Sequence, residues 1–415
     1  WYEIHACRVS PSSERGQPRG QTGVVAHDVR TVPRTPLAVW DSFQVASAAM
    51  ATRMRTIRAL NSWIFGKSAV HEREVVLHRG DREVAATLTV PRGRERARPG
   101  WIVLHGMTRP GRFHPTLLRF CRSLASTGAA VLVPEVPEWK DLRLEPELTL
   151  PTVRAGLRTL RQLEATDDGP YGLIGFSFGA PQVMIASAQD DIAENVAGTV
   201  GFGGYCDIGR MVRFQMTGEF EWNGVAHRVR PDPYGRWIMA GNHLVSIPEY
   251  QDAKDVAHAL RRLAMEAGER RILAWDPSYD VLKEVLRRGV TPDRRWLFDV
   301  FAPLSDRKAD PKQARRLAEQ LSEAAGKASP LLDPLPYLSR IRPPVHLLHG
   351  RNDYLIPYTE TLRMAEAFPR EKSVETTITA LLAHSGDSSR LSSVRTEIRE
   401  GLKLARALSR VLAIA

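Results

Sequence analysis

Cysteine is scarce in this chain: Cys7, Cys121 and Cys206 are the three present in 415 residues. They form no close pair and no metal-type spacing, which argues against a disulfide framework and a cysteine-based zinc site. The same scarcity leans toward a reducing compartment, so a cytoplasmic location is the expectation. Long apolar runs are missing too. No stretch reaches the ~18 uninterrupted apolar residues of a membrane span, and the first residues lack the apolar core of a secretory signal. There is no internal repeat. The net charge is +11, yet the basic residues do not interleave with aromatics, and no nucleic-acid motif accompanies them.

What remains is an ordinary globular composition, 43% apolar and 25% charged. The length suffices for one large domain with an insertion, or for two domains. Residues 1–100 hold 16 Lys/Arg against 9 Asp/Glu, with a concentration at Arg92-Gly93-Arg94-Glu95-Arg96-Ala97-Arg98. That run falls between two expected strands and reads as a solvated loop rather than a nucleic-acid or anionic-membrane patch. Residues 1–36, rich in Ser, Pro, Gly and Arg without hydrophobic period, read as disordered. Residues 37–71 hold an expected N-terminal helix with a mixed apolar face. Its packing against the domain or its cap is preferred over membrane tethering.

The most informative segment is Gly175-Phe176-Ser177-Phe178-Gly179. It follows the apolar run Pro170-Tyr171-Gly172-Leu173-Ile174 and precedes a helix-like stretch, Ala180 to Gln189. A serine between two glycines, at a reversal from strand to helix, is the sequence form of a nucleophile elbow. The turn is so sharp that only small residues two before and two after the serine escape a clash. The hydroxyl then stands at a helix start, whose free N–H groups favour developing negative charge.

Around this elbow, strands and helices alternate. A hairpin is expected from Glu74–His78 and Val84–Val90 around Arg79-Gly80-Asp81. The strands Trp101–Leu104, Ala130–Val133 and Val196–Phe202 are separated by helices at Leu117–Ser126 and Val153–Leu163, which implies βαβ units and a mostly parallel sheet. From Asp207 to about Arg340 the alternation stops. Helical patterns there cover Asp252–Ala267, Ser278–Arg288 and Pro311–Ala325, with a hairpin expected around Glu221-Trp222-Asn223-Gly224 and Tyr234-Gly235-Arg236-Trp237. The sheet resumes at Val345-His346-Leu347-Leu348-His349-Gly350 and ends at Thr376–Thr379, before an amphipathic helix, Val394–Leu412.

Three landmarks follow the elbow's logic: His105-Gly106-Met107 after the Trp101 strand, Asp353 in Arg351-Asn352-Asp353-Tyr354-Leu355-Ile356-Pro357, and the late His384. The chain thereby resembles the α/β-hydrolases, in particular capped serine esterase, lipase and peptidase-like members, over residues 72–207 and 341–412. The resemblance implies a mostly parallel eight-stranded sheet flanked by helices. It further implies a core of residues 72–207 and 341–415, with a largely helical cap, 208–340, inserted after strand 6.

An unassisted serine hydroxyl is a poor nucleophile and needs an oriented base. Ser177 is the expected nucleophile, His384 the base and then acid, and Asp353 the group that fixes the imidazole tautomer. The backbone N–H groups of Phe178 and Met107 are the expected oxyanion donors. Asp207 competes for the acid role, and Asp353 competes with a capping role for the helix near Tyr358. His384 could be a plain loop histidine. His105 is expected to brace its loop, and Cys206 to be a small core residue. Trp222, Trp237, Trp275 and Trp296 with Phe214, Phe220, Phe298 and Phe301 form either an apolar roof or simply the cap's own core. A serine at 177 sets the chain apart from relatives that attack with a carboxylate or a cysteine. The expected reaction is hydrolysis of a small carboxylic ester or related acyl compound without metal or organic cofactor. An acyltransferase or peptidase with the same triad, and a non-catalytic binding protein, are the alternatives. The presence of all three triad members counts against the last.

Overall fold

The computed structural model describes residues 36–93, 99–164, 166–270, 272–382 and 394–414, with side chains described from Met50 onward except at Val394. The expected disordered segment and most of the basic run at Arg92–Arg98 therefore lie outside the described residues, as does His384. The chain divides into two compact units, residues 1–48 and 49–415. Everything below concerns the second.

Within this unit, residues 49–65 belong to helix α1 (Pro36–Phe65). Beyond residue 49 it packs through small and polar residues, Thr56, Ala59 and Ser62, while Met50, Met54, Ile57, Ile64 and Phe65 stay exposed. Its C-terminal end is held by Arg119, which donates to the Ile64 carbonyl at 3.1 Å and lies over the Trp63 ring at 4.9 Å.

The sheet is built from β1 (Val70–Arg79), β2 (Arg82–Pro91), β3 (Gly100–Leu104), β4 (Ala130–Pro134), β5 (Tyr171–Phe176) and β6 (Val196–Phe202), completed by β9 (Val345–Gly350) and β10 (Val374–Thr379). Between them lie β7 (Glu219–Trp222) and β8 (Val225–Arg228), a separate two-stranded hairpin. The spatial order is β1-β2-β4-β3-β5-β6-β9-β10. β2 runs antiparallel to both β1 and β4, and every other pair is parallel. This is the α/β-hydrolase fold. β3 and β4 are buried at every residue, as strands covered on both faces must be.

The helices that cover the sheet are α2 (Pro115–Ala125), α3 (Pro137–Lys140), α4 (Thr149–Gln162), α5 (Gly179–Ser187) and α6 (Asp190–Ala193). The stretch between β6 and β9 adds α7 (Ile208–Thr217), α8 (Tyr234–His243), α9 (Lys254–Arg270), α10 (Asp280–Arg288), α11 (Arg295–Phe301) and α12 (Pro311–Ala328). The core then closes with α13 (Thr359–Glu366) and α14 (Val394–Val411). The insertion is thus largely helical and enters after the sixth strand. One expectation fails inside it. The hairpin turns at Asn223-Gly224, where φ is +51° and +75°, and its second strand ends at Arg228. Tyr234–Trp237 instead begins α8. Pro231 and Pro233 explain this: they donate no backbone hydrogen bond to a ladder, and a proline just ahead of a helix is readily accommodated.

The insertion is tied to the core by hydrogen bonds. The Asp232 N–H donates to the Tyr354 carbonyl at 2.7 Å, and the Tyr234 hydroxyl donates to the Met107 carbonyl at 3.1 Å. The Asn242 amide donates to the Leu142 carbonyl and accepts from the Leu144 N–H. Two of these partners, Met107 and Tyr354, sit in loops leaving the C-terminal ends of β3 and β9, where open parallel sheets place their ligands.

Candidate active site

The turn at Ser177 takes its form from clearances of a few ångström. Ser177 has φ +53°, a conformation costly for a residue with a Cβ and maintained only where the surroundings over-determine it. Its N–H donates to the Phe202 carbonyl of β6 at 2.8 Å, and its own carbonyl accepts from Ala180 N–H at 2.9 Å as α5 begins. A Cβ on residue 175 would lie 2.1 Å from the Gly179 carbonyl oxygen, and one on residue 179 would lie 2.8 Å from that of Leu104. Gly106 of the β3 loop also approaches closely, since a Cβ there would lie 2.9 Å from Ser177 Cβ. The loop after β3 and the elbow are therefore in direct contact.

Phe178, the next residue, sits at the N-cap of α5. It is buried, with its ring edge-on to Trp139 at 4.9 Å. Met107 is buried in the β3 loop. Neither N–H donates to a backbone carbonyl among the described residues. Beside them, His105 receives the Val136 N–H on Nε2 at 3.1 Å. The same Nε2 lies 3.3 Å from Glu135 Oε1, and Nδ1 lies 2.8 Å from the Gly106 carbonyl oxygen. His105 thus links the β3 loop to the end of β4.

Across the sheet, Asp353 follows β9 and is buried. Its Oδ1 accepts from the N–H groups of Leu355 and Ile356 at 2.8 and 3.0 Å. Its Oδ2 lies 3.2 Å from Nε2 of His349. That nitrogen also faces the Ile356 carbonyl at 3.0 Å. With two acceptors before it, Nε2 carries the proton, and Nδ1 accepts from the Thr361 hydroxyl at 2.6 Å. His349 fixes the Asp353 loop, a role the sequence reading missed. The available signal was a histidine closing an otherwise apolar strand four residues before the acid. Asp353 does not cap α13, whose N-cap is Tyr358 without a side-chain bond.

Ser177 and Asp353 share the wall of one cavity of about 190 Å³, with His105, Gly106, Phe176 and Phe202. Phe176 and Phe202 stack there at 4.6 Å. The wall reaches Leu382, two residues before His384 in the chain. Asp207 is engaged elsewhere. It caps α7 by accepting the Arg210 N–H at 2.7 Å, and it has no place in this wall. Cys206 is fully buried, and burial, with Glu360 nearby, pushes its thiol up to about 12. An inert core thiol results. The insertion's aromatics do not line the Ser177 cavity. Phe214, Trp237, Phe298 and Phe301 fill the insertion's own core, while Trp296 is exposed. Among the described residues no group of three metal-type side chains converges, and no helix is long and apolar enough to cross a membrane.

No family model and no curated protein matches this chain. Solved structures do. Acylaminoacyl peptidase from Pyrococcus horikoshii is 16% identical with a TM-score of 0.44, over 83% of this chain and 43% of that one. Est1E from Butyrivibrio proteoclasticus is 12% identical with a TM-score of 0.41, over 81% and 96%. Brefeldin A esterase, a bacterial homologue of human hormone-sensitive lipase, is 14% identical with a TM-score of 0.45, over 89% and 87%. The chain spans less than half the length of the acylaminoacyl peptidases it matches.

Proposed function

We propose that this protein is a serine hydrolase that cleaves a carboxylic ester or a related acyl compound through an acyl-enzyme. The observation that carries this reading is the left-handed backbone of Ser177, set between two glycines that tolerate no side chain, in one cavity wall with Asp353. Strain of this kind is retained where it positions a reacting group. In the proposed mechanism Ser177 Oγ attacks the substrate carbonyl while His384 takes its proton. Asp353 holds the imidazole tautomer and stabilises its cation. The N–H groups of Phe178 and Met107 receive the oxyanion, each such donor contributing about 3 kcal/mol to the transition state. His384 then returns the proton to the leaving group and activates water for deacylation.

The test is labelling with a fluorophosphonate probe, wild type beside Ser177→Ala and His384→Ala. Labelling confined to the wild type is the expected result. Label that persists in Ser177→Ala would place the nucleophile elsewhere, and a folded wild type that takes no label would remove the hydrolase reading. For a reactive ester, kcat/KM should fall as pH drops through the His384 pKa. A profile flat between pH ~5 and ~9 would exclude His384 as the base.

A further inference from the structure

A second cavity, of about 540 Å³, lies within the insertion. Its wall carries Arg228, Arg230, Arg236, Arg307 and Lys308, and none of these five has a carboxylate within 4.0 Å among the described salt bridges. The other two cations on the wall are matched: Arg315 pairs with Glu219 at 2.7 Å and Lys283 with Asp280 at 2.9 Å. Asp306 is the one further acid there. Like charges held together repel, and a concave surface of one sign focuses the field into the space it encloses.

Two of the cations are held in place. Arg230 lies over the Trp275 ring at 5.3 Å, which leaves its planar edge for a ligand. Arg236 spends Nε on the Phe301 carbonyl at 2.7 Å and Nη1 on the Gln215 carbonyl at 3.4 Å. Its Nη2 has no hydrogen-bond partner among the described residues. Burial lowers the Arg236 pKa to about 10 against the opposing pull of Asp232, so the guanidinium remains charged at neutral pH with that charge only partly offset. A desolvated cation without a close ion pair is costly, and an anion entering the cavity would offset that cost.

We infer that this cavity is a binding site for a small multiply charged anion, a ligand bearing phosphate or several carboxylates. Planar guanidinium groups pair with either chemistry in a bidentate manner. The site is distinct from the Ser177 cavity, shares no wall residue with it, and does not depend on the hydrolase reading. It nevertheless adjoins the acid loop. Trp275 packs edge-on to Tyr354 at 5.4 Å, and Tyr354 is the neighbour of Asp353.

Calorimetric titration of the full chain at low salt tests this, with pyrophosphate in one arm and tricarballylate in the other. The expected result is saturable binding of one equivalent in at least one arm, weakened by salt. Affinity should fall about tenfold or more in Arg230→Gln/Arg307→Gln. The arm that binds tells phosphate from carboxylate chemistry. Both substituted side chains are exposed, so the variant should melt as the wild type does. Arg370→Gln/Arg399→Gln, which removes the same charge from exposed positions outside this wall, should bind like the wild type. No saturable binding in either arm at millimolar anion, or an equal loss in both double variants, would overturn the assignment.

Discussion

Charge is handled in opposite ways on the two sides of the Asp232–Tyr354 hydrogen bond. On the core side each buried arginine faces carboxylates. Arg79 and Glu138, both nearly excluded from solvent, pair at 2.9 Å. Arg112 lies between Glu74 and Glu135, at 2.5 and 3.4 Å. On the insertion side five cations around one cavity have no carboxylate within 4.0 Å among the described salt bridges. The difference separates two uses of charge. A core ion is retained only with its counter-ion, because desolvation would otherwise dominate, and the pair then fixes neighbouring loops. Cations left unmatched at a solvent-reached cavity leave a place for an anion.

The comparison can be broken hardest at the elbow, where packing rather than charge sets the geometry. Gly175→Ala would bring a Cβ to 2.1 Å from a backbone oxygen, a contact that no rotamer can relieve. We expect destabilisation above about 4 kcal/mol, seen as aggregation or a large fall in melting temperature. A variant melting within a few degrees of wild type would mean that the turn is far less constrained than these clearances imply.

The next largest effect should come from the core pair. Arg79→Met strands the buried Glu138 carboxylate and should cost about 3–5 kcal/mol, whereas Arg79→Met/Glu138→Leu should recover most of it. Burial, the largest single influence, would raise the Glu138 pKa, yet the hydrogen bond and charge of Arg79, with a backbone hydrogen bond and the charge of Arg143, together hold the carboxyl below its ordinary value. A folded-state pKa lowered in this way stabilises the protein above the unfolded value of about 4.3. The contribution is lost as pH falls through the folded value. Denaturant titrations from neutral to acid pH should therefore show a steeper loss in the wild type than in the double variant. Equal slopes would mean that the pair contributes nothing to acid sensitivity.

These regions also differ in how much of them the sequence disclosed. The sheet was legible because its strands are short apolar runs bounded by Gly, Pro or Asp, and the elbow because its steric demand writes glycine at fixed positions. The turn at Ser177 and Phe178, and the strand ends that carry Met107 and Asp353, could be placed for those reasons. His349 and Tyr234 could not, since a side chain that positions another residue needs a partner remote in sequence and obeys no local spacing. The cationic cavity was hidden in the same way. Arginine is common throughout the chain, and only folding gathers positions 228, 230, 236, 307 and 308 around one space. The Tyr234–Trp237 segment misled because its aromatic residues suit a strand, whereas the deciding local signal was Pro231 and Pro233 just ahead of it, which end a ladder and suit a helix start.

The smallest expected effect bears most directly on how the insertion serves the core. The Tyr234 hydroxyl donates to the Met107 carbonyl, and burial raises its pKa, so it remains a donor across the neutral range. That bond holds the peptide following Met107, and with it the orientation of the residue whose N–H is proposed to receive the oxyanion. Tyr234→Phe retains the ring and removes only the hydrogen bond, which contributes about 1 kcal/mol. An oxyanion donor acts in the transition state rather than on bound substrate. The loss should therefore fall on kcat, by about fivefold, with KM little changed. A change confined to KM would assign Tyr234 to the substrate pocket instead. Unchanged kinetics beside a lowered melting temperature would make the bond a simple tether between insertion and core.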